Sequence, residues 1–225
     1  MPTCFIRALQ AMAAAAMRWS KPPWPTGKRT CARRWISPAL LGDRTLIIAT
    51  STGATLATWA LLQPALAARV DGAVFLAPNF RIRGRGAFLL TAPLAHLSAR
   101  LILGRRRSFV PMNALHAANW TTDYPVSSLL PMASLVAQVR ALPFERIATP
   151  TLLIQSPRDQ VVDPRQTSAV AARWGGRVAI LDPGDIGDPY SHVVAGDALS
   201  PDTTDRLAET IIVWFKKNNQ QSDIE

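Results

Sequence analysis

Apolar positions along this chain gather into short, unbroken runs separated by longer stretches of helical spacing. The runs TLIIAT at 45–50, GAVFLA at 72–77, PTLLIQ at 150–155 and RVAIL at 177–181 are too short for helices and show no polar alternation. That pattern predicts strands covered on both faces. Residues 52–62 then continue at helical spacing and stop before Pro64, and a C-terminal helix is expected to start near Ser200 and Pro201. Strand alternating with helix predicts an α/β fold: a mainly parallel sheet with helices on both faces.

The chain has 225 residues, 48% of them apolar, enough for one domain with a sizeable core. The two cysteines, Cys4 and Cys31, make no disulfide framework, and no metal-type Cys/His cluster occurs, so a cytoplasmic protein without metal or cofactor is expected. The apolar stretch AMAAAAM runs into Arg18, Trp19, Ser20 and Lys21, which is a poor signal peptide. Residues 87–104 contain His96 and Arg100 and are too polar for a membrane span.

Net charge is +10, but residues 1–40 hold seven basic side chains and no acid, leaving 18 basic against 15 acidic residues in the rest. No helical stretch shows a basic stripe interleaved with aromatics, which argues against nucleic-acid binding. The first forty residues also lack any helical or strand period. They read as a basic tail or, more sharply, as a frame-shifted translation: nucleotides encoding them permit, read two positions on, a strand, a G-H-G turn and an acidic amphipathic helix. The expectation is a core from 41 to 217, a polar tail from 218 to 225, and a native start upstream of an atypical segment at 1–40. On that view the 225-residue chain is poorly soluble and has little or no activity.

Candidate chemistry lies at the carboxyl ends of the strands, where ligands bind in such sheets. The first strand passes into its helix through Thr50-Ser51-Thr52-Gly53, with Ala49 and Ala54 on either side. Small residues there allow a sharp turn that lifts the Ser51 hydroxyl above the sheet and points a helix N-terminus at it; a plain helix-capping serine fits the same residues. After PTLLIQ comes SPRDQVVDP, with Asp159 in the loop and Asp163 before Pro164 as a rival acid or helix cap. After RVAIL comes a loop with His192. The other histidines, His96 and His116, sit in apolar or Ala-rich runs and read as packing or lid residues.

Together these residues resemble the α/β-hydrolase family over residues 43–217, in particular its carboxylesterase and monoacylglycerol-lipase-like branches. The family's nucleophile elbow is usually G-x-S-x-G; here Ala49 replaces the first glycine. The resemblance implies a triad in the order Ser51, Asp159, His192, an oxyanion donor at the Thr52 N–H, and ester hydrolysis through an acyl-enzyme. It implies a lid as well, expected at about 79–144. From Gly72 to Thr122 there is no acid but seven arginines flank an apolar segment, which suits a small-molecule ester with an apolar acyl group and peripheral contact with a lipid surface. The alternative is a truncated, non-catalytic remnant of the fold.

Overall fold

A computed structural model describes residues 44–84, 100–101 and 103–222. The segment 1–40 and most of the expected lid helix, with Arg85 and His96, lie outside the described residues.

In chain order the elements are β1 (Leu46–Thr50), α1 (Thr52–Leu61), α2 (Pro64–Ala67), β2 (Gly72–Leu76), β3 (Arg106–Ser108), α3 (Ala114–Asn119), β4 (Asp123–Pro125), α4 (Leu129–Arg140), β5 (Thr151–Ile154), α5 (Pro164–Ala171), β6 (Val178–Leu181) and α6 (Pro201–Ser222). The main sheet has the order β1-β2-β5-β6 with every pair parallel. β3 and β4 form a separate antiparallel ribbon. All four sheet strands were legible as apolar runs. The run GAVFLA ends one residue early as a strand because Ala77 turns the chain at a φ of 44°, while its N–H still donates to the Ile154 carbonyl at 2.8 Å.

Alternate side chains of each strand feed two cores, as period-two geometry requires. Ala49, Ala73, Phe75 and Leu153 face one layer, where α1, α4 and α5 contribute Ala57, Leu61, Leu135, Val139 and Val170. Val74, Leu152 and Ile154 face the other, covered by Leu207, Ile211 and Trp214 of α6. Register aligns these rows, with Val74 beside Leu152 and Phe75 beside Leu153. Phe75 meets Trp174 edge-on at 6.1 Å, and Trp174 stacks on Phe144 at 6.2 Å. Such aromatic pairs add about 0.5–1.5 kcal/mol each beyond the area they bury.

Two boundaries differ from those read in the sequence. Leu135, Val139 and Phe144 sit in the first core, so the stretch expected as lid ends inside the layer covering the sheet, while Leu129, Leu130 and Ala133 pack with Val126 in a separate cluster. α6 continues through Ser222, past the expected start of the tail. Side chains in its last turns bond back to helix carbonyls, with Asn218 and Asn219 donating to Trp214 and Phe215 at 2.9 Å.

Candidate active site

Ser51 joins β1 to α1 with φ 49° and ψ −119°, a backbone conformation that a residue with a Cβ rarely adopts. Conformations of this kind cost about 1–3 kcal/mol and persist only where the surroundings over-determine them. Here they do. The Ser51 N–H donates to Leu76 O at 2.9 Å, while its carbonyl accepts from Ala54 N at 3.0 Å and Asn79 N at 3.1 Å. Small residues matter at two positions flanking the turn: Ala49 before it and Ala54 after it are both buried. Gly53 is different, because a Cβ there would meet no described atom within 4 Å. Its glycine is not needed for close packing, contrary to the reading from sequence.

His192 brings its Nε2 to 3.1 Å from Ser51 Oγ and its Nδ1 to 2.8 Å from Asp159 Oδ2. A carboxylate only accepts, so the imidazole proton belongs on Nδ1; Nε2 is then free to accept from the serine hydroxyl. Asp159 is fully buried. Its Oδ1 accepts from Val161 N at 2.8 Å and Val162 N at 2.9 Å, and its Oδ2 also accepts from Gln155 Nε2 at 3.0 Å. Four donors therefore offset the desolvation of one carboxylate. Gln155 is fixed in turn by Thr167 Oγ1, which donates to Gln155 Oε1 at 3.2 Å.

The histidine loop is organised by a second buried carboxylate. Asp188 accepts from Tyr190 N at 3.1 Å on Oδ1, and from His192 N at 2.9 Å and Val193 N at 2.8 Å on Oδ2. Ser191, just before the histidine, takes a φ of 53°. Gly187 lets this loop pass the start of α6, since a Cβ there would stand 2.4 Å from Leu199 O. Gln160 ties the acid loop to the histidine loop, donating from N to Tyr190 O at 2.9 Å and from Nε2 to Pro189 O at 3.1 Å.

Sequence reasoning singled out Ser51, Thr52, Asp159 and His192, and the structure brings all four together. Asp163 lies elsewhere: it caps α5, accepting from Arg165 N at 3.1 Å. His116 is buried between Phe109 and Trp120, at ring distances of 5.4 and 4.9 Å. Sequence reasoning missed Asp188, Gln155 and Asn79. Asp188-Pro189 is a turn signal that announces backbone capping, but Gln155 and Asn79 carried no signal. Arg83, read as part of a lid, instead donates from its guanidinium to the Asp159 carbonyl, while Arg83 N bonds Val161 O at 3.0 Å.

The chain is similar in structure to a metagenome-derived lipolytic enzyme of the LipS and LipT pair, with 18% identity, a TM-score of 0.62, and 92% of this chain and 77% of that one covered. It is similar to the monoacylglycerol lipase of Paleococcus ferrophilus, at 14% identity and a TM-score of 0.58, covering 87% of this chain and 76% of that one. A soluble variant of the monoglyceride lipase of Saccharomyces cerevisiae, in complex with a substrate analogue, matches at 10% identity and a TM-score of 0.61, covering 87% and 69%. No protein-family model and no curated protein matches the sequence. The architecture is thus an α/β-hydrolase fold.

Proposed function

We propose that this chain is a serine hydrolase that cleaves carboxylic esters through an acyl-enzyme. What carries the reading is the continuous hydrogen-bonded line from Ser51 Oγ through His192 to buried Asp159, set on a strained strand-to-helix turn. Serine is a weak nucleophile at neutral pH and needs an adjacent base. In this reading Ser51 Oγ attacks the acyl carbon as His192 Nε2 takes its proton, and Asp159 stabilises the imidazolium. The Thr52 N–H, at the first position of α1, receives the oxyanion. His192 then protonates the departing alkoxide, and water enters by the same route to free Ser51.

An apolar acyl group suits the segment between β2 and α4, where Phe109, Val110, Met112 and Leu115 are exposed near Arg105 and Arg107. A lipid surface suits the same residues, and the monoacylglycerol lipases among the similar structures are in keeping with this. We assign the chain to the cytoplasm on its cysteine usage.

The test is covalent. A fluorophosphonate should label the protein at Ser51, mapped by peptide mass spectrometry, and Ser51→Ala should abolish both labelling and p-nitrophenyl ester hydrolysis. The expected loss is on the order of 10³-fold or more, because triad members act as a unit. Labelling that survives Ser51→Ala refutes the assignment, and a folded chain that never labels favours the non-catalytic remnant.

A further inference from the structure

Asn79 follows β2 and is held at three points to the turn that carries Ser51. Its N–H donates to Ser51 O at 3.1 Å, its carbonyl accepts from Thr55 Oγ1 at 2.6 Å, and its Nδ2 lies 3.2 Å from Thr52 Oγ1. The same Nδ2 lies 3.3 Å from Met132 Sδ. A thioether has no proton to give, so the amide must turn its NH₂ toward the sulfur. That orientation makes Thr52 Oγ1 an acceptor from Asn79. It also leaves Asn79 Oδ1 buried without a partner, a cost that an apolar side chain of similar size would not incur.

A threonine hydroxyl holds a single proton. With one lone pair engaged by Asn79, the Thr52 proton has to point elsewhere, and no described residue accepts it. The Thr52 N–H likewise has no acceptor among the described residues. One residue beyond the nucleophile, then, carries two unspent donors, and a buried neighbour fixes the polarity of one of them.

We infer that the Thr52 hydroxyl is a directed donor to the developing oxyanion, working with the Thr52 N–H, and that Asn79 is the positioning residue that keeps its proton aimed outward. This rests on the serine-hydrolase reading above. It supplies from within the elbow the second donor that a tetrahedral oxyanion requires.

The experiment uses the full 225-residue chain, with fluorophosphonate labelling of Ser51 and steady-state hydrolysis of p-nitrophenyl butyrate. Thr52→Val, nearly isosteric, should lower kcat on the order of 10²-fold with KM within about threefold of the parent, the signature of an interaction made in the transition state. Thr52→Ser should restore most of kcat. Asn79→Asp offers only acceptors, so the hydroxyl should reverse and donate to it, lowering kcat as Thr52→Val does. Asn79→Leu leaves the hydroxyl unpinned but still protonated, and its loss should be smaller. The double variant Thr52→Val/Asn79→Asp should be no slower than Thr52→Val alone. Should Thr52→Val keep kcat within about twofold while Ser51 still labels, the inference fails and the hydrolase reading stands. Losses that multiply in the double variant overturn the coupling to Asn79. If Asn79→Asp does not fold by circular dichroism, Asn79→Leu and the two Thr52 variants decide alone. A parent chain that never labels at Ser51 overturns both readings together.

Discussion

The loops carrying Asp159 and His192 and the segment from Arg105 to Ser128 are built on opposite principles. In the loops two buried carboxylates, Asp159 and Asp188, between them gather five backbone N–H groups, and Gln160 joins one loop to the other. The segment has a ribbon of two three-residue strands, and large apolar side chains that face outward, with Val110 88% exposed. Among the described residues a small cluster around Val126 and Ala133 and a hydrogen bond from Asn113 Nδ2 to Ala198 O at 2.6 Å anchor it. Buried, satisfied polar networks specify one geometry. A surface with few buried contacts opens at low free-energy cost. The comparison separates a tightly networked pair of loops from an adaptable, outward-facing segment.

The largest expected break lies in the loops. His192→Ala removes the proposed base. Asp159→Asn keeps the shape but offers an amide where the histidine needs an acceptor, favouring the wrong tautomer; kcat should fall on the order of 10⁴-fold, less than for His192→Ala. Asp163→Asn should leave kcat unchanged and barely move Tm, since asparagine caps helices as well as aspartate does. If Asp163→Asn lowers kcat and Asp159→Asn does not, the acid is misassigned. Asp188→Asn should cost about 1.5–3 kcal/mol, the range for hydrogen bonds to a charged group, with kcat reduced through the displaced histidine. Urea unfolding and ester hydrolysis on the same samples separate these cases.

How much of this was legible in the sequence follows from where each contact is made. Ser51 and Asp159 stand within five residues of a strand end and His192 eleven residues beyond one, so apolar runs marked out the loops in which the family resemblance placed them. The four strands were legible because their runs are continuously apolar, as a parallel sheet covered on both faces requires; β2 and β5 are buried in that way, whereas β6, at the sheet edge, leaves Ile180 49% exposed despite its apolar run. Asn79 could not be found that way, because it acts on Thr52 from 27 residues away and on Met132 from 53. Gln155 reads as the last residue of a strand, and only the tertiary fold turns its amide onto Asp159. The partners of the arginines were hidden for a related reason. Arg83 and Arg106 look like a basic lid flank in sequence, yet one binds the acid loop and the other pairs with Asp123.

A second break tests packing. Phe75→Ala empties a fully buried ring site against Trp174 and should cost about 3–5 kcal/mol, read as a lower urea midpoint. Val110→Ser should stay within about 0.5 kcal/mol, because that side chain already faces water. The activity pattern should invert. Val110→Ser is expected to weaken action on long-chain esters more than on short ones, at unchanged stability. Equal loss for both chain lengths would detach the exposed segment from substrate binding.

The smallest effect concerns the ribbon itself. Asp123 on β4 accepts from Arg106 Nε at 3.0 Å and Nη2 at 2.7 Å, with both side chains more than half exposed. The hydrogen bond from Arg106, with its charge, holds the Asp123 carboxyl below the ordinary 3.8. A folded-state value below the unfolded one means that the pair stabilises the fold above pH 3.8 and loses that contribution as pH falls through the folded value. Exposure and salt screening keep the gain small. Asp123→Asn should therefore lower Tm slightly at pH 7, less at high salt, and not at all once the pH is low enough to protonate the parent's carboxyl. Since the ribbon adds little to the main core, cleavage within 105–125 under limited proteolysis should report the loss more clearly than Tm does. A Tm difference that persists unchanged at low pH would show that Asp123 acts on the ribbon through something other than its charge.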